Sequence, residues 1–276
     1  MSTFVDTDWL MEHVKDENVR IIDCRFSLGN PVEGREQYKQ GHIPGALFFD
    51  LEKDLSGHVK KHGGRHPLPN MKNFIRKVES AGIGNESTVV IYDDQDGAFA
   101  GRCWWLFSYI GHEDVMILNG GYAAWKKAGG ETDTGVPQYP HENYRPHFNE
   151  GIIASLEEVR SCARGDNDVI LIDSRSSERY IGKEEPIDRI PGHIPRAVNF
   201  PWTDGVKNGS FTGEKHDDRF ASLSKDSPII VYCGSGVTAT ANFISLKEAG
   251  FKHVKLYVGS YSDWVSYEEH SVEKGK

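Results

Sequence analysis

Pro228 to Ala241 reads PIIVYCGSGVTATA. Four apolar or aromatic residues, Ile229–Tyr232, run into Cys233. Gly234 and Gly236 follow, then a helix-like run through Asn242, Phe243, Leu246 and Lys247. A short unbroken apolar run bounded by glycines predicts a strand buried on both faces, followed by a sharp turn into a helix. Cys233 therefore falls where a central strand ends and a helix begins. Backbone N–H groups converging in such a loop, at the positive end of a helix dipole, stabilise an anion. A thiolate seated there is expected to have a lowered pKa and to act as a nucleophile.

Cysteine phosphatases also use strand, loop and helix in this order, but they need an arginine six residues after the cysteine to clamp phosphate. That position is Ala239, and no Arg or Lys occurs from Gly234 to Phe243. The pattern points instead to a cysteine that carries a sulfane sulfur as a persulfide. The stretch Cys233–Ala239, CGSGVTA, resembles the active-site loop of 3-mercaptopyruvate sulfurtransferases, members of the rhodanese superfamily whose thiosulfate-using relatives carry a basic loop.

The rest of the chain repeats one unit. VRIIDCR (Val19–Arg25) matches VILIDSR (Val169–Arg175), and GHIPGALFFD (Gly41–Asp50) matches GHIPRAVNFP (Gly192–Pro201). TVVIYDD (Thr88–Asp94) matches PIIVYCG (Pro228–Gly234). HEDVMILNGGYAAW (His112–Trp125) matches KHVKLYVGSYSDW (Lys252–Trp264), so the order is kept throughout. So long a period means duplicated domains. Within each copy, β-branched runs alternate with helical patterns, which predicts an α/β fold. The resemblance implies two tandem rhodanese-like domains, each a parallel sheet with helices on both faces. The expected boundaries are 1–135, a proline-rich polar linker over 136–151, and a catalytic domain over 152–276. In the second copy strands are predicted at Val169–Asp173, Ala197–Phe200, Ile229–Tyr232 and Val254–Tyr257. Helices are predicted at Leu156–Ala163, near Asp217–Leu223, at Val237–Glu248 and at Ser260–Val265.

The first copy has Asp93 where the second has Cys233, within the acidic loop DDQDGAFAG (Asp93–Gly101). A carboxylate cannot form a persulfide and would repel a sulfur anion. The first domain is therefore read as non-catalytic.

The resemblance implies further members of the site. Ser235 would handle the proton during attack, in a hydrogen-bonded chain with His66 and an acidic residue, for which Glu52 is the match; the family more often has Asp there. Arg179 would grip the substrate carboxylate. The family's second such arginine is out of register here, and Arg189 is the nearest candidate. The backbone of Gly234, Gly236, Val237 and Thr238 would cradle the sulfur. His58, His62 and His66 are spaced by four, but Gly63 and Gly64 break any helix that would align them on a metal. His42 and His193, in the GHIP turns, are read as scaffold, as are Asp173 and Arg175.

A chain of 276 residues is long enough for two domains. A formal charge of −9 disfavours nucleic acid and anionic membrane as partners. The N-terminus shows neither a basic n-region nor an apolar core of a signal peptide. Four scattered cysteines without CxxC spacing fit a reducing cytoplasm rather than zinc or a disulfide framework. No cofactor is expected. The expected partners are a small-molecule sulfur donor and a thiol, cyanide or thioredoxin-like acceptor.

Overall fold

The computed structural model describes residues 3–94, 96–207, 210–211 and 216–275. Backbone contacts divide them into two units. The first comprises 1–57, 68–149 and 208–211; the second comprises 58–67, 150–207 and 212–276.

The first unit is built on a five-stranded sheet of β1 (Phe4–Val5), β2 (Val19–Asp23), β3 (Ala46–Phe48), β4 (Thr88–Tyr92) and β5 (Val115–Leu118), in the order β1-β5-β4-β2-β3. Its helices are α1 (Thr7–His13), α2 (Glu33–Gln40), α3 (Met71–Ser80), α4 (Ala98–Tyr109) and α5 (Gly121–Lys127). The second unit carries a four-stranded sheet of β6 (Ile170–Asp173), β7 (Val198–Asn199), β10 (Ile229–Tyr232) and β11 (Val254–Leu256), in the order β11-β10-β6-β7. Its helices are α6 (Leu156–Arg164), α7 (Ser177–Tyr180), α8 (His216–Arg219), α9 (Ala239–Glu248) and α10 (Ser260–Trp264). Two-residue strands β8 (Val206–Lys207) and β9 (Ser210–Phe211) complete the set.

Every pairing within the two larger sheets is parallel. Parallel strands need crossover helices, and right-handed crossovers that run in both directions from a central strand place helices on both faces. In the second unit the direction reverses between β6 and β10, which are neighbours. The crevice at the carboxyl ends of such strands is where α/β sheets hold their chemistry. Double coverage also explains the composition of β10, whose four residues are all buried. The following helix is buried along Ala239–Leu246, so it lacks the polar stripe of a surface helix. It closes at Gly250, in the left-handed region at φ 82°.

The two units repeat each other down to single bonds. In the first, Arg25 forks onto the buried Asp23 and its Nη2 donates to the Gly41 carbonyl at 2.7 Å. In the second, Arg175 forks onto Asp173 and its Nη2 donates to Gly192 at 2.6 Å. The guanidiniums lie over Tyr122 and Tyr261, at 4.2 and 3.8 Å from the ring centres. His42 and His193 each bond a tyrosine carbonyl at 2.7 Å and stack on that tyrosine, Tyr38 or Tyr180. These histidines brace the turn leading into β3 or β7.

The units differ from the expected boundaries in three places. Residues 210–211, expected in the second domain, group with the first, where Phe211 N–H donates to Asn119 at 3.0 Å. Most of the expected linker packs on the first unit, where Tyr139 donates to the Gly45 carbonyl and Tyr144 is buried. Residues 58–67, expected in the first domain, pack with the second. Their anchors are polar: Gly63 N–H to Asp263 at 2.6 Å, Arg65 N–H to Ser262 at 3.1 Å, and His62 to Ser266 at 2.7 Å. His62 also stacks on Tyr267. At Gly64, φ is 82° and an added Cβ would meet the Gly259 carbonyl oxygen at 2.3 Å, so the segment needs glycine to seat.

Candidate active site

Cys233 follows β10 directly and is 2% exposed. Its backbone is fixed on both sides. Its N–H donates to Ser260 Oγ at 3.2 Å, and its carbonyl accepts from Tyr261 N–H at 3.0 Å. The Gly234 carbonyl accepts from Ser262 N–H at 3.0 Å. Ser260 is itself held in the left-handed region at φ 55°, with its hydroxyl donating to the Tyr257 carbonyl. A non-glycine residue in that region is a local strain kept by its surroundings. Sequence reasoning passed over Ser260; the repeat would have flagged it, because it aligns with Gly121, at φ 57°.

Gly236 turns the loop at φ 74°, and an added Cβ would sit 2.2 Å from the Val258 carbonyl oxygen. Val237 is buried, and its carbonyl takes both the N–H and the hydroxyl of Thr240. Thr238 precedes the first turn of α9. A Gly236→Ala variant is expected to lose at least ~2 kcal/mol, from left-handed strain plus a backbone clash. Urea denaturation should show a lower midpoint at an unchanged slope.

Ser235 and His66, far apart in sequence, meet in the second unit. His66 Nδ1 lies 2.8 Å from Ser235 Oγ, and both residues are buried. A serine hydroxyl on an imidazole is an arrangement that can move a proton near neutral pH. Glu52 is placed differently. It lies in the first unit with its side chain exposed, and its backbone N–H donates to the buried Asp50.

The arginines have partners within the second unit. Arg179 donates from Nε and Nη2 to Glu185, and from Nη2 to Asp188 at 2.8 Å. Arg189 is exposed and gives Nη2 to the Val265 carbonyl at 2.8 Å. The second guanidinium at the loop is instead Arg65, which pairs with the other oxygen of Asp188. An ideal Cβ at Gly234 would lie 2.8 Å from Arg65 Nη2 and 3.5 Å from Arg179 Nη1. The loop's own side chains are neutral, yet two cations face it from outside.

These groups extend the Asp173–Arg175 pair. Arg175 Nη1 donates to Glu185 at 3.0 Å, giving the alternating series Asp173, Arg175, Glu185, Arg179, Asp188, Arg65. Burial raises the Glu185 carboxyl, but Arg179 and the backbone N–H groups of Asp188 and Ile187 outweigh it and hold it below the usual range. Burial dominates at Asp188 and leaves its carboxyl raised, against the pull of Arg65. Burial also pushes the Cys24 and Cys162 thiols up, which suits inert core cysteines.

The matching loop of the first unit is occupied by its own side chain. Asp93 is 2% exposed. Its carboxylate accepts from the N–H groups of Gly97 at 3.0 Å and of Phe99 and Ala100 at 2.8 Å, at the start of α4. Its carbonyl accepts from Tyr122 N–H at 3.0 Å, as Cys233 does from Tyr261. The amides of this loop thus hold the chain's own carboxylate.

Comparison with known proteins fits this geometry. The profile of the Rhodanese-like domain family matches twice, over residues 6–128 and 155–267. A Pseudomonas aeruginosa protein named probable 3-mercaptopyruvate sulfurtransferase is 38% identical over 96% of both chains. A Mycobacterium tuberculosis protein named putative thiosulfate sulfurtransferase SseB is 35% identical over 93% of this chain and 91% of its own. The crystal structure of the 3-mercaptopyruvate sulfurtransferase SseA from Escherichia coli superposes with a TM-score of 0.83 at 34% identity, covering 95% of this chain and all of that one.

Proposed function

The chain belongs to the rhodanese-like family, and from that premise we propose that it is a sulfurtransferase working through a persulfide on Cys233, with 3-mercaptopyruvate as donor. The observation that carries this reading is the placement of Cys233: a thiol at the carboxyl end of a buried parallel strand, followed by a glycine turn and the N-terminus of α9. In the first half-reaction the Cys233 thiolate attacks the donor sulfur. The carbon–sulfur bond breaks, its electron pair goes to carbon, and pyruvate leaves as the enolate. Ser235 and His66, in hydrogen-bond contact, would take the donor's thiol proton and return one to that carbon. Arg179 Nη1 would meet the donor carboxylate. Backbone N–H groups of the loop through Thr238 would hold the outer sulfur, as the first unit's loop holds a carboxylate.

In the second half-reaction an acceptor thiolate or cyanide attacks the outer sulfur and the Cys233 thiolate departs, a ping-pong scheme. A thioredoxin-like dithiol protein is the acceptor of this class that we propose, in the cytoplasm. Among the described residues, no helix is long and apolar enough to cross a membrane.

Thiosulfate is the second donor to consider, and a specific observation favours it: Arg65 and Arg179 both reach the face of Gly234. A dianion gains from two cations where a monoanion gains half as much. Incubation with either donor should add one sulfur to Cys233, removable by cyanide and visible by mass spectrometry. Arg179→Ala should then cost roughly tenfold or more in kcat/KM for mercaptopyruvate, the loss of a charge-assisted bond. A protein that gains no sulfur from either donor is not this enzyme.

A further inference from the structure

The trio Arg65, Asp188 and Arg179 has a geometry that the expected site does not use. Asp188 gives one carboxylate oxygen to each guanidinium, so a buried carboxylate bridges two arginines beside the sulfur-bearing loop. A carboxylate between two guanidiniums is the contact that the anionic group of a donor would itself make. Among the described residues, the hydrogen bonds leave Arg65 Nη2 and Arg179 Nη1 without an acceptor, and these are nitrogens that face Gly234. Arg65 arrives from the 58–67 segment, the same segment that brings His66 to Ser235. Proton handling and anion binding therefore come in together on adjacent residues.

We propose that Arg65 is a donor-binding residue and that Asp188 sets donor preference by charge, offsetting one of the two guanidiniums that face the loop. The inference rests on the sulfurtransferase reading and names the residues that select among its donors. Within the alternating series, three carboxylates balance three guanidiniums, so the site as built is neutral overall. Neutralising Asp188 leaves a surplus of one positive charge within a few ångströms of the donor. Coulombic energy scales with the donor's charge, so a dianion gains the square of the factor that a monoanion gains. Loss of Arg65 reverses the sign of both effects. A merely structural role for either residue would change both affinities alike.

The test uses the full chain carrying Cys233→Ser, which cannot turn over, and measures binding of thiosulfate and of pyruvate by calorimetry. Adding Asp188→Asn should tighten thiosulfate about tenfold and pyruvate about threefold. Adding Arg65→Gln should weaken them by about the same factors, and Arg65→Lys should restore most of the loss. Equal changes for the two anions, or none, would overturn the proposal. Should Asp188→Asn fail to fold, the Arg65 pair decides alone, because that side chain is about one-third exposed and its removal leaves no large cavity. The sulfur gained by the wild-type Cys233 is scored separately. Charge-dependent affinities without a persulfide would sink the function and leave the charge selectivity standing; a persulfide with flat affinities would do the reverse.

Discussion

Cys233→Ser is expected to abolish sulfur transfer, lowering turnover by at least roughly 10⁴-fold. The reason is chemical rather than steric. Serine keeps the backbone bonds to Ser260 and Tyr261 that hold the loop, and it fits the same buried volume. A hydroxyl ionises far less readily than a thiol, and an oxygen nucleophile makes no persulfide. The variant should therefore fold with a melting temperature within a few degrees of the parent while gaining no cyanide-labile sulfur. Cys162→Ser is the control. It lies in the core of the second unit, so it will cost some stability, yet the sulfur on Cys233 should still appear. Retained transfer by Cys233→Ser would mean that another atom carries the sulfur.

The second large effect is on stability. Asp173→Ala should cost about 3–5 kcal/mol, the range for stranding one partner of a buried ion pair. Asp173 is fully buried and takes the Arg175 backbone N–H, Nε and Nη2. Burial alone would lower the Arg175 pKa, and Asp173 more than reverses that. The variant strips this buried guanidinium of its main partner and leaves it only Glu185 and the Gly192 carbonyl. Asp23→Ala should destabilise by a similar amount, because Asp23 holds Arg25 in the same fork and also accepts from Tyr92 at 2.7 Å. The two variants should part company in activity. Arg175 also holds Glu185, and Glu185 orients Arg179, so Asp173→Ala should raise KM for an anionic donor among the molecules still folded. Guanidinium denaturation and kinetics on both variants decide it; equal KM values would show that the ion-pair series does not reach the site.

How much of this could be read beforehand follows from the range of each interaction. Strand β10 and Cys233 were legible because a run of four apolar residues, then glycine, is a local signal. The duplication was legible because the two halves keep the same turn chemistry, and the repeated bonds of Asp23 and Asp173 are its physical content. His66 and Ser235 were named through family resemblance; no local pattern links residues 169 positions apart. For the same reason Arg65, proposed above as a donor-binding residue, was not singled out. It sits in a glycine-rich stretch without period, and its place is set by Ser262, Asp188 and the close approach of Gly64 to Gly259. The adjacent glycines were the available clue, since a pair of them often marks backbone meeting backbone. Arg189 was chosen by proximity along the chain, which says nothing of proximity in space. Its guanidinium goes to the Val265 carbonyl, while Asp188, one residue earlier, turns toward the loop.

The Asp93 cradle has a bearing on evolution by duplication. A repeat that tethers a negative oxygen where its sister would receive a negative sulfur never has to wait for a visitor. Its half of the molecule is permanently in the occupied form, frozen by an ordinary peptide-encoded carboxylate. On the proposed function, the amides around Asp93 show in oxygen the kind of contact that the sister loop would make to sulfur.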